Sequence, residues 1–408
     1  MPSLAIYAPI TTLPAMYTFR HLLFSVAVIV VQGLGATAQI SDSSKKAELA
    51  VFIPLYLDSA FYGFEYLHGT QVPRYVLPGL EFYHGVKIAA DSLAKAGIPL
   101  TIRIIDSRLQ NSFQHALNEL AYSRPGLIIG MVQNAQELKA VADLAHQSNI
   151  PFISATYPND AGLIDRPNTV VLNSTIKTHL SEMYRYLQRN YATEDLLYIT
   201  RRGINEDRIA AMLKESQSAS ALAPVRLKTM TMTDTLKARD LQPYLDSTRR
   251  NVIVCGTTDE KFSKNLLKQL SSLTKNYPIE VFGMPNWADY PLTQSEFKGL
   301  TVYHTSPFVP QAGNAYGYEQ VVNQFKKHVA SRPSDMAFRG YETTLRFGHT
   351  LVQYGTDFLT HINDSNFRVF NNFRIEPGSP KPNGTVDCLE NKKVYFVKRT
   401  NGVFAGAY

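Results

Sequence analysis

The sequence predicts an α/β protein of two Rossmann-like lobes, each with a parallel central sheet. Three observations lead there. Gly126–Thr156 reads as one strand–helix–strand unit, which implies two parallel strands joined by a right-handed crossover. The same rhythm runs from Glu48 to Leu172, pauses at Asn173–Thr178 and resumes as far as Phe282. The chain of 408 residues is long for one core, and 45% hydrophobic with 18% charged residues is a globular composition.

In chain order, Ser41–Lys46 is a polar tether. Glu48–Leu55 is the first strand; its AVFIPL run is apolar almost throughout, as a strand buried on both faces must be. Tyr56–Val76 is a long loop carrying Tyr56, Phe61, Tyr62, Phe64, Tyr66 and Tyr75. A loop of that length inside a lobe is usually functional. After Pro78-Gly79 a helix places Phe82, Val86, Ala89, Ala90 and Leu93 on one face and stops at Gly97. Leu100–Ile105 is a strand closed by Asp106, and Ser112–Tyr122 a helix.

The central unit follows. Leu127–Ile129 is a strand stopped by Gly130, and Asn134 is a good N-cap for the helix that Leu138, Val141, Ala142 and Ala145 mark at helical spacing. Asn149 ends that helix, and Pro151 opens Phe152-Ile153, with the small residues Ser154, Ala155 and Thr156 behind it. Both strand ends open on one edge of the sheet, where small ligands sit in parallel α/β folds. Backbone N–H groups near Asn134 point at the same edge, ready for an anion. Thr169–Leu172 is a further strand.

Beyond Asn173–Thr178 the second lobe takes helices over His179–Asn190, Asn205–Ser216, Asp240–Thr248 and Asp259–Leu273. Its strands are Leu196–Thr200, Val225–Met230, Asn251–Cys255 and Ile279–Phe282. Gly299–Tyr303 is a strand, and Tyr316–Val329 and Phe338–Phe358 are helices. The tail from Phe373 is β-rich, with Asn401-Gly402 as a hairpin signal.

The N-terminus reads as a secretory leader over residues 1–38. Arg20 and His21 precede the apolar run Leu22–Val31, and Ala36-Thr37-Ala38 supplies a small–x–small cleavage site, with Met16 as an alternative start. No later run is long and apolar enough to span a bilayer, so the expectation is a periplasmic protein without stable membrane insertion after cleavage. The net charge of +7 is scattered, with no dense Lys/Arg block, which points to a solvated basic surface and away from nucleic acid. There are two cysteines; Cys255 lies in an apolar run, and a disulfide to Cys388 needs two distant segments to meet. No G-x-S-x-G, G-x-x-x-x-G-K or H-E-x-x-H occurs, and the ten histidines do not cluster at ligand spacing. The expectation is therefore no enzyme, no cofactor and no metal site.

Taken in order, these stretches resemble a family. Ala50–Leu55, Pro78-Gly79-Leu80 to Ala90, Ile104-Ile105-Asp106, Leu127–Gly130, Ile150–Thr156, Gly283 with Trp287, and Phe338 with Gly340-Tyr341-Glu342 are similar to type I periplasmic binding proteins of the branched-chain amino-acid (Leu/Ile/Val) receptor class. The resemblance covers most of residues 48–408. It implies two lobes joined by a three-crossing hinge, lobe 1 over 48–172 and 300–358 and lobe 2 over 173–299 and 359–408, closing on a ligand held between them. Two departures stand out. The serine-rich turn with which amino-acid receptors hold the ligand carboxylate and amine is here Met131-Val132-Gln133-Asn134, without serine. The usual aspartate after the late-helix tyrosine is Glu342.

Ligand-binding candidates follow from strand ends and from the resemblance. Tyr56 stands at the exit of the first strand. Gln133 and Asn134 face the cleft, or Asn134 only caps its helix. Ser154, Ala155 and Thr156 resemble the second binding turn, or merely end a strand. Arg201, beside Arg202, supplies positive charge to the cleft or to a solvated surface. Asp259 stands where the family places the acid that meets an α-amino group. Trp287, the only tryptophan, stacks on a ligand or anchors its loop in the core. The functional expectation is a non-enzymatic solute-binding protein that closes on a small polar ligand, amino-acid-like or cell-wall-derived, for an ABC-type transporter or a sensor. The alternative is a cell-envelope interaction or regulatory protein with a degenerate cleft, suggested by the missing serine turn and the aromatic loop.

Overall fold

A computed structural model describes residues 46–109, 113–292, 295–309, 317–329, 331–378, 384–401 and 403–407. The leader expected over 1–38 lies outside the described residues, as do Ser112 and Tyr316, the expected starts of two helices. The described chain forms two seven-stranded, mainly parallel sheets and a small two-stranded one.

The first part of the chain runs β1 (Ala47–Ile53), α1 (Leu57–Ala60), β2 (Phe61–Tyr62), β3 (Glu65–Tyr66), α2 (Leu77–Lys95), β4 (Leu100–Asp106), α3 (Phe113–Ser123), β5 (Leu127–Gly130), α4 (Ala135–Gln147), β6 (Phe152–Ser154) and β7 (Thr169–Val171). The second part runs α5 (Ile176–Asn190), β8 (Asp195–Thr200), α6 (Ile204–Ser218), β9 (Arg226–Thr231), α7 (Ala238–Leu241), β10 (Asn251–Cys255), α8 (Glu260–Leu273), β11 (Ile279–Phe282) and β12 (Thr301–Ser306). Then come α9 (Tyr318–His328), α10 (Asp335–Tyr354), β13 (Ile375–Pro377), β14 (Leu389–Asn391), β15 (Tyr395–Thr400) and β16 (Val403–Ala407).

Sheet one has the order β13-β14-β7-β6-β5-β1-β4 and sheet two the order β16-β15-β12-β11-β10-β8-β9. The apolar runs explain why each sheet is covered on both faces. In β1, Leu49, Val51 and Ile53 enter one core cluster, while Ala50 and Phe52 enter the cluster on the opposite face. In β10, Ile253 and Cys255 face one cluster and Val252 and Val254 the other. All of β10, and β1 from Leu49 onward, is buried, which favours a central parallel position.

Helices α2 and α10 pack against each other on sheet one. Their approach depends on two glycines: a Cβ on Gly85 would stand 2.0 Å from the Ala337 carbonyl oxygen, and one on Gly340 would stand 2.1 Å from that of Phe82. Beside them the fully buried Glu342 accepts hydrogen bonds from the backbone N–H of Phe370 (2.9 Å) and Asn371 (2.6 Å), and Arg346 donates to the Asn371 carbonyl at 3.1 Å. Burial pushes the Glu342 carboxyl above its ordinary range, against those donors.

The structure corrects two lobe boundaries. β12 belongs to the second sheet, not to lobe 1 from residue 300: it pairs in parallel with β11, and Tyr303 stacks on Phe282 at 4.5 Å. The crossing back to lobe 1 comes after β12, and α9 and α10 return to sheet one. The described residues from 359 to Asn391 also belong to lobe 1. Phe373 and Ile375 complete its core, and β14 pairs in parallel with β7. Only β15 and β16 return to sheet two, β15 antiparallel to β12. The helix expected over Asp240–Thr248 is instead the short α7 followed by a 3-10 turn at Gln242–Tyr244, because Pro243 supplies no N–H to continue it. Cys255 and Cys388 are both buried free thiols, in different sheets' cores.

Three chain crossings meet at Asn391, which is fully buried. Its Nδ2 lies 3.3 Å from the Leu172 carbonyl, just beyond β7, and 3.4 Å from the Pro307 carbonyl, just beyond β12. Ser174 Oγ donates to the Asn391 carbonyl at 2.6 Å, and the Thr175 N–H donates to Glu390 at 2.7 Å. The C-terminal ends of β7 and β12 are therefore brought together, and the two sheets face each other by their C-terminal edges from that point outward.

Candidate functional site

Counted outward from the crossings, sheet one presents the tips of β7, β6, β5, β1 and β4, and sheet two those of β12, β11, β10, β8 and β9. By rank, β5 corresponds to β10 and β1 to β8. Gln133 and Asn134 follow β5 and Asp259 follows β10, while Tyr56 follows β1 and Arg201 follows β8.

On the first wall the Asp106 carboxylate gathers the loop beyond β1. It accepts from the N–H of Leu55 (2.9 Å), Tyr56 (3.3 Å), Leu57 (2.9 Å) and Arg108 (2.9 Å). This grip holds Tyr56 in the left-handed region, at φ 58°. The Tyr56 hydroxyl then donates to Gln133 Oε1 at 3.2 Å. Arg108 donates to the same oxygen and to Glu137 Oε1, both at 2.5 Å. Glu137 also accepts from the Gln133 N–H at 2.9 Å and from Asn134 Nδ2 at 2.7 Å. Burial works against the Arg108 charge, but hydrogen bonds to Glu137 and Tyr56 outweigh it and hold the guanidinium above its ordinary pKa. The result is a fixed guanidinium and carboxylate at the strand tips.

Asn134 is the cap of α4: its Oδ1 accepts the Glu137 N–H at 3.0 Å. Its side chain is nevertheless exposed, as is that of Gln133. Ser154 and Ala155 are fully buried, and the Ser154 hydroxyl makes no hydrogen bond. Against the expectation of ligand contact, these two end the strand and pack into the lobe core. Thr156 is half-buried and its carbonyl accepts from Asn173 at 2.9 Å, bracing the approach to the first crossing.

On the second wall Arg201 lies between two acids, 2.7 Å from Asp259 and 3.4 Å from Asp234. Asp259 caps α8 through the Phe262 N–H at 2.8 Å. Beneath them the buried Glu206 accepts from the Thr257 hydroxyl at 2.6 Å. Trp287 is wholly buried and stacked on Tyr290, and a Cβ on Gly283 would overlap its ring at 2.0 Å. Of its two expected roles the core anchor is the one present, since no face of the indole reaches the cleft. Burial pushes the Cys255 thiol up to about 12, which leaves it inert at neutral pH.

The sequence reading missed Arg108 and Glu137. A signal existed for Glu137: Asn134-x-x-Glu137 is the capping-box spacing. Arg108 follows Asp106 by two residues, a basic group at a strand tip. Among the described residues no group of histidine, cysteine and acidic side chains could hold a metal ion. A separate cavity of about 980 Å³, lined by Glu194, Arg226, Tyr244 and Arg250, lies at the opposite, N-terminal edge of sheet two. No helix among the described residues is long and apolar enough to cross a membrane.

Two mainly parallel sheets facing by their C-terminal edges across three crossings define the type I periplasmic-binding-protein fold. Solved structures with this fold match over 89% of the chain. A candidate branched-chain amino acid ABC transporter from Rhodospirillum rubrum matches with TM-score 0.60 and 12% identity over 100% of its length. A branched-chain amino acid ABC transporter periplasmic ligand-binding protein from Burkholderia xenovorans matches with TM-score 0.55 and 12% identity over 94% of its length. An ABC transporter substrate-binding protein from Desulfitobacterium hafniense, in complex with Leu, matches with TM-score 0.52 and 13% identity over 100% of its length. No protein-family model and no curated protein matches the chain.

Proposed function

We propose that this chain is a non-enzymatic solute-binding protein of the periplasm, released there by cleavage of the leader over 1–38. Its two lobes close on a small polar ligand, amino-acid-like or cell-wall-derived, and pass it to a membrane transporter or sensor. The observation that supports this reading is a charged pair at the strand tips of each sheet, Arg108–Glu137 with Tyr56 and Gln133 in one and Arg201–Asp259 in the other. A ligand carboxylate would be met by the guanidinium groups and an ammonium by the acids. The Burkholderia and Desulfitobacterium proteins, named as ligand- and substrate-binding, support the class of activity. Titration calorimetry against amino acids, short peptides and cell-wall fragments should find a ligand, and Arg108→Met should weaken it about tenfold or more. Absence of any binding across those sets, or full affinity in Arg108→Met, would sink this assignment of the site.

The second reading is an envelope interaction protein whose cleft no longer binds solute. The exposed rings of Tyr62 and Phe64 favour it. A stable protein partner recovered from envelope extracts, with no solute in the cleft, is its expected signature.

A further inference from the structure

Arg339, on α10, is a charge that the two strand-tip pairs leave out. Its guanidinium carbon stands 4.0 Å from the centre of the Phe308 ring. Phe308 lies just beyond β12, beside the crossing, and follows the Pro307 whose carbonyl meets Asn391. Among the described residues Arg339 has no ion-pair partner, and its Nε is buried without a hydrogen-bond acceptor. The residue as a whole is half-buried, so the group is reachable from water. Two acids act on it by charge alone: Asp335, in the first turn of its own helix, and Asp289, at the end of the 3-10 turn Pro285–Asp289 that follows β11. Both acids are exposed. Burial outweighs them and lowers the guanidinium below its ordinary pKa. Arg339 therefore belongs to lobe 1, packs on the crossing, and lies within electrostatic reach of the C-terminal edge of sheet two.

A guanidinium drawn out of water without an acid beside it costs more than the face of one aromatic ring returns. Three other guanidinium groups of the chain are compensated. Arg108 is held by Glu137 and Arg201 by Asp259 and Asp234. Arg346, two turns further along α10, is offset by the Glu342 charge and donates to the Asn371 carbonyl at 3.1 Å. Arg339 has only the ring. We infer that Arg339 is an anion-binding residue at the crossing end of the cleft, where an oxyanion of the solute, carboxylate or phosphate, bonds to the guanidinium with the Phe308 ring behind it. The oxyanion supplies the missing charge and matches the forked donor edge of arginine, which a neutral solute cannot do. An ammonium on the same solute stays free for the acids at the strand tips.

This inference rests on the solute-binding role proposed above for its occupant, but the guanidinium itself is tested with simple anions. Thermal unfolding of the full chain is followed at constant ionic strength while sodium chloride is replaced by sodium phosphate or, separately, by sodium malonate. Both salts also stabilise proteins by exclusion from the surface, an effect that Arg339→Met shares. The wild type should show a further, saturable rise of about 2 °C in the midpoint, with phosphate or with malonate according to the oxyanion the site takes. Arg339→Met should lose that rise. In chloride it should unfold no earlier than the wild type, because it removes an uncompensated charge and keeps an apolar contact with Phe308. Arg249→Met, which removes an exposed cation at the N-terminal edge of sheet two, should keep the rise in full. No further rise in the wild type, the same rise in Arg339→Met, or its loss in Arg249→Met as well overturns the inference and leaves the solute-binding reading standing. Earlier unfolding of Arg339→Met in chloride overturns it too, since the guanidinium would then be structural. A rise that vanishes with Arg339 alone, when calorimetry finds no solute, upholds the anion site and counts against the solute-binding reading instead.

Discussion

Lowering the pH from 7 to 5 should destabilise the fold through two buried histidines beside the crossings. His179 on α5 and His304 on β12 are 2% and 3% exposed. His179 Nδ1 lies 2.8 Å from the Thr305 hydroxyl, and His304 Nδ1 has no hydrogen-bond partner. Burial pushes both imidazoles down to about 3, and Arg399 and His179 add to the effect at His304. In the unfolded chain each titrates near 6.5. The unfolded state therefore binds the extra protons, and stability falls as the pH drops below 6.5 and goes on falling towards 3. Between pH 7 and pH 5 each histidine costs about 2 kcal/mol, or about 4 kcal/mol together. Glu342 acts with the opposite sign, because its raised carboxyl gains a proton in the folded state as the pH falls. The histidine share is isolated by comparing urea unfolding at the two pH values in the wild type and in His179→Gln/His304→Asn. The double variant should lose most of the dependence. An unchanged pH dependence in that variant would refute the reasoning.

Two further outcomes follow from the same packing. Asn391→Ala removes the acceptor for the Arg374 and Lys393 N–H groups, each at 3.1 Å, and the donor shared by the Leu172 and Pro307 carbonyls. A loss of about 2–4 kcal/mol is expected in urea unfolding, and a loss under about 1 kcal/mol would show that the crossings hold without it. Gly283→Ala drives a methyl into the Trp287 ring and should cost about 1–3 kcal/mol. Trp287→Leu in the same chain should recover part of that cost in a double-mutant cycle; strict additivity would argue against the clash.

The alternation of apolar runs with helical spacing was enough to read both sheets, because each central strand is buried on two faces and its sequence cannot vary far from Val, Ile, Leu and Phe. The boundaries between lobes were not legible in the same way. Nothing local in Thr301–Ser306 or in the three-residue Leu389–Asn391 says which sheet will take the strand. That choice is made by long-range partners: Phe282 for Tyr303, and Leu172, Pro307 and Ser174 for Asn391. At the site, strand tips were readable but side-chain direction was not. Ser154 follows Phe152 and Ile153 into the sheet interior, whereas Gln133, beyond the end of β5, is free to turn outward.

The departure at Met131–Asn134 gains a meaning from Arg108. A serine turn offers neutral hydroxyl donors to a ligand carboxylate; here β4 delivers a guanidinium to the same strand tips, already bonded to Gln133 and Glu137. The second wall repeats the device, with Arg201 held by Asp259 and Asp234. Each guanidinium comes with its own carboxylate, so neither wall presents a bare positive charge. A simple anion would have to compete with a resident acid for the same donors, whereas a zwitterion can exchange partners with both members of a pair and leave no charge unmatched. If the proposed site holds the ligand, an anion lacking an amino group should bind less tightly than its amino-bearing counterpart in titration calorimetry, and equal affinity for the two would count against the pairing argument.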